Sequence, residues 1–134
     1  MYKRQAAFGR VSDAMKLPRK SDEEKALRKQ RIQAALIGAA RVPLEVAKTA
    51  RRLLEATEAV MNDAPAMAIS DVGVAALMAE TALRGAAMNV MINLASLDDA
   101  GQVKALSEEL DRALEGSEQQ RARVVEFVES RIAR

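Results

Sequence analysis

At 134 residues the chain has room for one domain with a core, and 49% of it is apolar. It has no cysteine and no histidine, which excludes disulfides, thiolate chemistry and both the commonest general base and the commonest metal ligand. A net charge of +2 and three aromatic residues, Tyr2, Phe8 and Phe127, argue against nucleic acid, which asks for a strong basic excess and rings to stack on.

Read in chain order, Met1 to Gln5 (MYKRQ) stands apart. Tyr-Lys-Arg-Gln is what a transposon adapter used in sequencing libraries encodes in one frame, so residues 1–5 read as a non-native scar to be kept out of fold reasoning. Residues 6–134 read as one partial helical domain. Ala6 to Met15 is the end of a helix with Phe8, Val11, Ala14 and Met15 on one stripe, followed by a turn around Pro18. Ser21-x-x-Glu24 is a capping box, and Asp22, Glu23 and Glu24 suit the positive end of the helix it opens. Apolar positions from Leu27 to Val60 predict one long helix over Asp22 to Met61, kinked or broken near Pro43. Asn62 to Ala68 reads as a loop. Asp98 or Asp99 caps a final segment whose apolar stripe, Val103 to Ile132, keeps phase across Gly116, so a single long helix is expected there. The fold class is all-α, an elongated antiparallel bundle of long helices.

The stretch Ser70 to Leu94, SDVGVAALMAETALRGAAMNVMINL, carries the most information. It is apolar almost all the way round, which predicts a helix surrounded by protein. Asp71, Glu80, Arg84, Asn89 and Asn93 are then expected to be buried or partly buried, each with a partner. Glu80 and Arg84 lie one turn apart in the favourable order for an ion pair. Asp71, Asn89 and Asn93 fall within about 40° of one another on the opposite face. They can serve as an N-terminal cap and interhelix hydrogen bonds, or as ligand contacts, and Ser70 can cap equally well. Glu80, Arg84 and the asparagines also interrupt the run as a membrane span.

The same stretch resembles the last characteristic block of the cyclodeaminase/cyclohydrolase family. The likeness extends upstream through FGRVSDAMKLPRKSDEEKALRKQRIQAAL and through Arg41-Val42-Pro43-Leu44, where the family carries a similar V-P-L inside a helix. It covers essentially everything from Phe8 onward. The resemblance implies folate one-carbon metabolism: cyclodeaminases expel ammonia from 5-formiminotetrahydrofolate, and cyclohydrolases add water to the 5,10-methenyl cation. It implies a tetrahydrofolate substrate, no metal or nucleotide cofactor, and a homodimer. The lack of cysteine, histidine and a signal peptide fits a cytoplasmic setting. On this reading Ser70, Asp71, Asn89 and Asn93 are the substrate-binding groups.

No catalytic residue is assigned. The family's proton-donating aspartate heads a D-A-x-A-F pattern; Ala7 and Phe8 match its end, and Arg4 stands where the aspartate would be. The family's P-G-G-G-S-V-A-A helix is absent, so this piece is expected to show little activity. Lys16, Arg19, Lys20, Lys25, Arg28, Lys29 and Arg31 form a basic run that either steers a polyanionic glutamate tail or is a solvated face. The competing reading is a non-catalytic helical interaction module whose polar residues specify dimer register.

Overall fold

A computed structural model describes residues 2–133, with side chains from Gln5 onward. Met1 and the side chains of Tyr2 to Arg4, which carry most of the expected scar and the position of the family's aspartate, lie outside the described residues. Five helices follow one another: α1 (Tyr2–Met15), α2 (Asp22–Val60), α3 (Ile69–Leu94), α4 (Ala100–Leu114) and α5 (Ser117–Ile132), with a 3-10 turn (Ala66–Ala68) leading into α3. No strand occurs among the described residues, and the class is the all-α bundle expected.

The capping box forms as the sequence predicts. Ser21 Oγ accepts from the Glu24 amide at 3.2 Å, and Glu24 Oε2 accepts from the Ser21 amide at 3.3 Å. This satisfies two of the amides that a helix start leaves without partners. From there α2 runs for 39 residues with Pro43 inside it. The helix is not broken at Pro43, which is buried together with Ala40, Leu44, Ala47, Ala50 and Leu54. The small side chains among them let α3 approach closely, and the pairing is antiparallel. Ala40 and Leu44 share a cluster with Ala86, Val90 and Leu94, while Leu54 packs with Ile69 and Ala76. Gln33 fixes the far end by donating to the Ser96 carbonyl at 3.1 Å and accepting from the Asp98 amide at 2.8 Å.

Beyond α3 the expected single helix is two. Asp99 caps α4, its Oδ1 accepting from the Gln102 amide at 3.0 Å. Glu115 turns out of the helix with ψ 122°, and Gly116 takes φ 66°, the left-handed region where a Cβ is costly. The buried series Leu106, Leu110, Ala113, Ser117, Gln120, Val124 and Val128 still keeps a spacing of three or four. Periodicity therefore passed straight through a real break. Across the turn the chain exchanges neighbours. Leu106, Leu110 and Ala113 join the cluster built on Ala40 and Leu44, and Val124 and Val128 join the one built on Leu54 and Ile69. A Cβ at Gly73 of α3 would meet Val128 Cγ1 of α5 at 3.1 Å, so glycine is what lets these helices touch.

The two-faced third helix as candidate site

Ile69, Gly73, Ala76, Ala79, Leu83, Ala86, Ala87, Val90 and Leu94 form the inner face of α3 and are buried. The outer face is open. Val74, Leu77, Met78, Met88, Met91 and Ile92 are between 45% and 70% exposed, and Thr81, Ala82 and Gly85 lie exposed among them. The expectation of a helix wrapped on all sides is therefore corrected: helices of this chain cover one side only. By length and composition alone Ala66–Leu94 is also long and apolar enough to cross a membrane, although Asp71, Glu80 and Arg84 lie within it, and the expected exclusion of a span is corrected to that extent.

The polar residues of α3 sit on or beside the open face. Ser70 and Asp71 are exposed in the first turn, but neither caps the helix: the N-cap position is Ala68, with no side-chain bond. Asn89 and Asn93 are half-buried. Asn89 Nδ2 donates to the Gly85 carbonyl at 2.7 Å, and Asn93 Nδ2 donates to the Asn89 carbonyl at 2.6 Å. Both bonds run one turn back along α3 rather than across to another helix. Such back-bonding compensates an amide held against an apolar surface. At 1.5 Å per residue, Asp71 and Asn89 lie about 27 Å apart along the axis. The shared angular position is therefore not a shared place. One chain presents the four residues as two separate pairs, Ser70 with Asp71 and Asn89 with Asn93.

Glu80 and Arg84 form the expected pair, Arg84 Nε to Glu80 Oε1 at 2.8 Å, and Arg84 Nη2 reaches Glu118 of α5 at 3.4 Å. The bond to Glu80 holds the Arg84 guanidinium above its ordinary pKa. This pair ties α3 to α5 and leaves the open face almost free of charge. The basic run of the N-terminal third is largely spoken for. Lys16 pairs with Asp13, Lys25 with Asp22 and Lys29 with Asp98, while Arg28 donates to the Met15 carbonyl at 3.0 Å.

Sequence reading missed a second polar region, the seam of α2 against α4 and α5. Lys48, Arg51, Arg52, Glu55, Glu109 and Arg112 line a shallow cleft of roughly 330 Å³ there. Lys48 pairs with Glu109 and Glu45, and these bonds raise its pKa, Glu109 foremost. The bond from Lys48 in turn lowers the pKa of Glu109. Ten residues beyond Lys48 along α2, Arg123 Nε and Gln120 Nε2 converge on Glu58 at 2.7 and 2.6 Å, lowering its pKa, Arg123 first. Most of the polar groups in this seam are matched to one another, so it fastens helices. Lys48, Arg51, Glu55 and Glu58 recur every three or four residues, which was the signal available for it.

Known proteins resemble most of this chain. Residues 3–112 match the family described as formiminotransferase-cyclodeaminase. Over 126 residues, 94% of this chain, the sequence is 38% identical to a methenyltetrahydrofolate cyclohydrolase of Methylorubrum extorquens. It is 34% identical to the formimidoyltransferase-cyclodeaminase of Gallus gallus over 95% of the chain, and 32% identical to that of Mus musculus over 93%. The chain spans 61% of the length of the cyclohydrolase and about a quarter, 24% and 23%, of the other two. The matched region runs through α1, the capped start of α2, Pro43, all of α3 and most of α4, and this chain belongs to the formiminotransferase-cyclodeaminase family.

Proposed function

We propose that this chain is part of a folate one-carbon enzyme acting on the methenyl or formimino bridge of tetrahydrofolate. The observation that carries the reading is its 38% identity over 94% of its length to a methenyltetrahydrofolate cyclohydrolase. The residues fit that chemistry in kind. Asn89 and Asn93 carry amides able to donate and accept, which matches the mixed edge of a pterin. Asp71 supplies a carboxylate beside a cationic one-carbon centre, and Ser70 a hydroxyl. A carboxylate placed near a developing or standing positive charge stabilises it most when water is excluded.

Water is not excluded from the open face of a single copy of α3. The proposal therefore includes that the chain as it stands turns over little substrate. Arg4 also stands where the resemblance puts the family's proton-donating aspartate. Binding is tested by titrating 5,10-methenyltetrahydrofolate and following its chromophore. Saturable binding weakened at least tenfold by Asn93→Ala, with an unchanged melting temperature, supports the assignment; binding that survives this change overturns the role of Asn93. Hydrolysis of the methenyl bridge within tenfold of an intact relative's rate overturns the proposed inactivity.

A further inference from the structure

Four basic side chains, Lys48, Arg51, Arg52 and Arg112, line the shallow cleft between α2 and the end of α4, against two acidic ones, Glu55 and Glu109. Within a hollow of roughly 330 Å³, positive charge therefore outweighs negative by two. Fastening the helices uses only part of this set. Lys48 is spent on Glu109 and Glu45. Arg51 gives Nε to Glu55 at 2.9 Å and Nη1 to the Glu115 carbonyl at 2.7 Å. Arg52 makes one bond, from Nη2 to Thr49 Oγ1 at 3.1 Å, within its own helix. Arg112, in the last turn of α4, forms no hydrogen bond or ion pair among the described residues and acts on Glu109 through space alone.

A cation in the last turn of a helix complements the negative end of its dipole, which accounts for Arg112. It does not account for Arg52, which stands in the interior of α2. Like charges gathered around one hollow repel one another, and an anion between them removes that cost. We infer that this cleft binds a compact phosphate-class anion, held between Arg52 of α2 and Arg112 of α4. A guanidinium offers paired N–H groups to two oxygens at once, the geometry that a phosphate group accepts. Lys48 and Arg51 are already fixed by their partners and lose little freedom when the anion arrives.

Phosphate fits better than a chain of carboxylates. The cations converge on one hollow instead of following a track, and a phosphate group puts up to about two charges on a single centre. Carboxylates spread along a chain would bring their outlying charges against Glu55 and Glu109. No aromatic ring lines the cleft, so it has no platform for a base, and recognition rests on the phosphate itself, whether free or esterified. No residue of α3 lines it either, so the site stands apart from Ser70, Asp71, Asn89 and Asn93 and does not depend on the folate reading. An anion bridging α2 and α4 binds only the folded chain, and so stabilises it by mass action.

Pyrophosphate is the first probe, titrated calorimetrically into the chain at low salt, with inorganic phosphate, a nucleoside triphosphate and tetraglutamate as further arms. A Kd of about 1 mM or tighter is expected for pyrophosphate, weakening as salt is added, together with a raised melting temperature. Arg52→Gln and Arg112→Gln should each weaken binding about tenfold or more. Both side chains are exposed, and circular dichroism checks that the variants fold. Arg131→Gln removes the same charge from the exposed far end of α5 and should leave the affinity unchanged. Equal affinity for pyrophosphate and the triphosphate supports a site that reads the free anion, and tighter triphosphate binding supports an ester as its source. Failure of all three phosphates to saturate the chain overturns the proposal. So does a loss in Arg131→Gln equal to that in Arg112→Gln, which would make net charge the cause. Tetraglutamate binding more tightly than pyrophosphate overturns the phosphate assignment. If Arg112→Gln lowers the melting temperature of the free chain but keeps its affinity for pyrophosphate, Arg112 serves only the end of α4 and the proposed site fails.

Discussion

The two faces of α3 are built from the same kinds of residue and meet opposite fates. On the inner face Leu83 and Val90 are fully buried against α2; on the outer face Met78, Met88 and Ile92 are 65% to 70% exposed. Each face mixes branched aliphatics with alanine and glycine, but the inner one holds four alanines and no methionine, while Met78, Met88 and Met91 all lie outside. Spacing separates them as well. The inner face follows the spacing that α2 and α5 dictate, including the contact at Gly73, whereas no helix of the described residues covers the outer one. An apolar helix can thus be core on one side and open on the other.

The contrast is broken most severely from the inside. Leu83→Ala removes a side chain with no exposure at the centre of the packing against α2, and a loss of about 2–5 kcal/mol is expected in urea unfolding. A loss under about 1 kcal/mol would mean that the inner face is looser than described. Gly73→Val is next. Its Cβ alone would stand 3.1 Å from Val128 Cγ1, and the added methyls force α5 away, at a cost of about 1–3 kcal/mol. Gly85→Ala is the control: the same class of change with open space around it is expected to lose no more than about 1 kcal/mol, with a gain equally consistent, since alanine favours a helix interior over glycine.

The periodicity of the sequence exposed the helices, the capping box at Ser21, a cap at Asp98 or Asp99 and the Glu80–Arg84 pair, because each depends on residues within a turn of one another. It did not expose the break at Gly116, where the spacing stayed in phase while the backbone turned through φ 66°. It also failed to show which side of α3 would be covered, since that depends on how many helices are present and not on α3. For the candidate site, angle was legible in the sequence and distance was not. Equal angles on a wheel placed Asp71 with Asn89 and Asn93, but a wheel discards the rise along the axis. The polar seam of α2 went unremarked because Lys48, Arg51 and Glu58 find their partners about sixty residues away.

That seam gives a prediction of intermediate size. Glu58 and Glu109 both titrate below the ordinary carboxylate value of 4.5, held there by Arg123 and Gln120 in one case and by Lys48 in the other. A carboxylate whose folded pKa is depressed stabilises the fold fully above its unfolded pKa and loses that contribution as pH falls through the folded one. Stability should therefore be flat near neutrality and fall as the pH drops below about 4.5. Glu58→Ala is expected to cost about 1–2 kcal/mol at pH 7, because Gln120 is buried and loses its acceptor. It should also make the acid loss shallower. If the double variant Glu58→Ala, Glu109→Ala loses stability with pH as steeply as the parent, these carboxylates are not the groups responsible.

The smallest effect sharpens the comparison most. Met88→Ser takes an exposed side chain from the outer face and removes no contact within the core. The change in unfolding free energy should stay within about 0.5 kcal/mol, far below the loss expected at Leu83 on the same helix. Met78→Ser, equally exposed, should behave the same way. A cost above about 1 kcal/mol at either position in urea unfolding would mean that the outer face is covered after all and that the two faces of α3 do not differ as described.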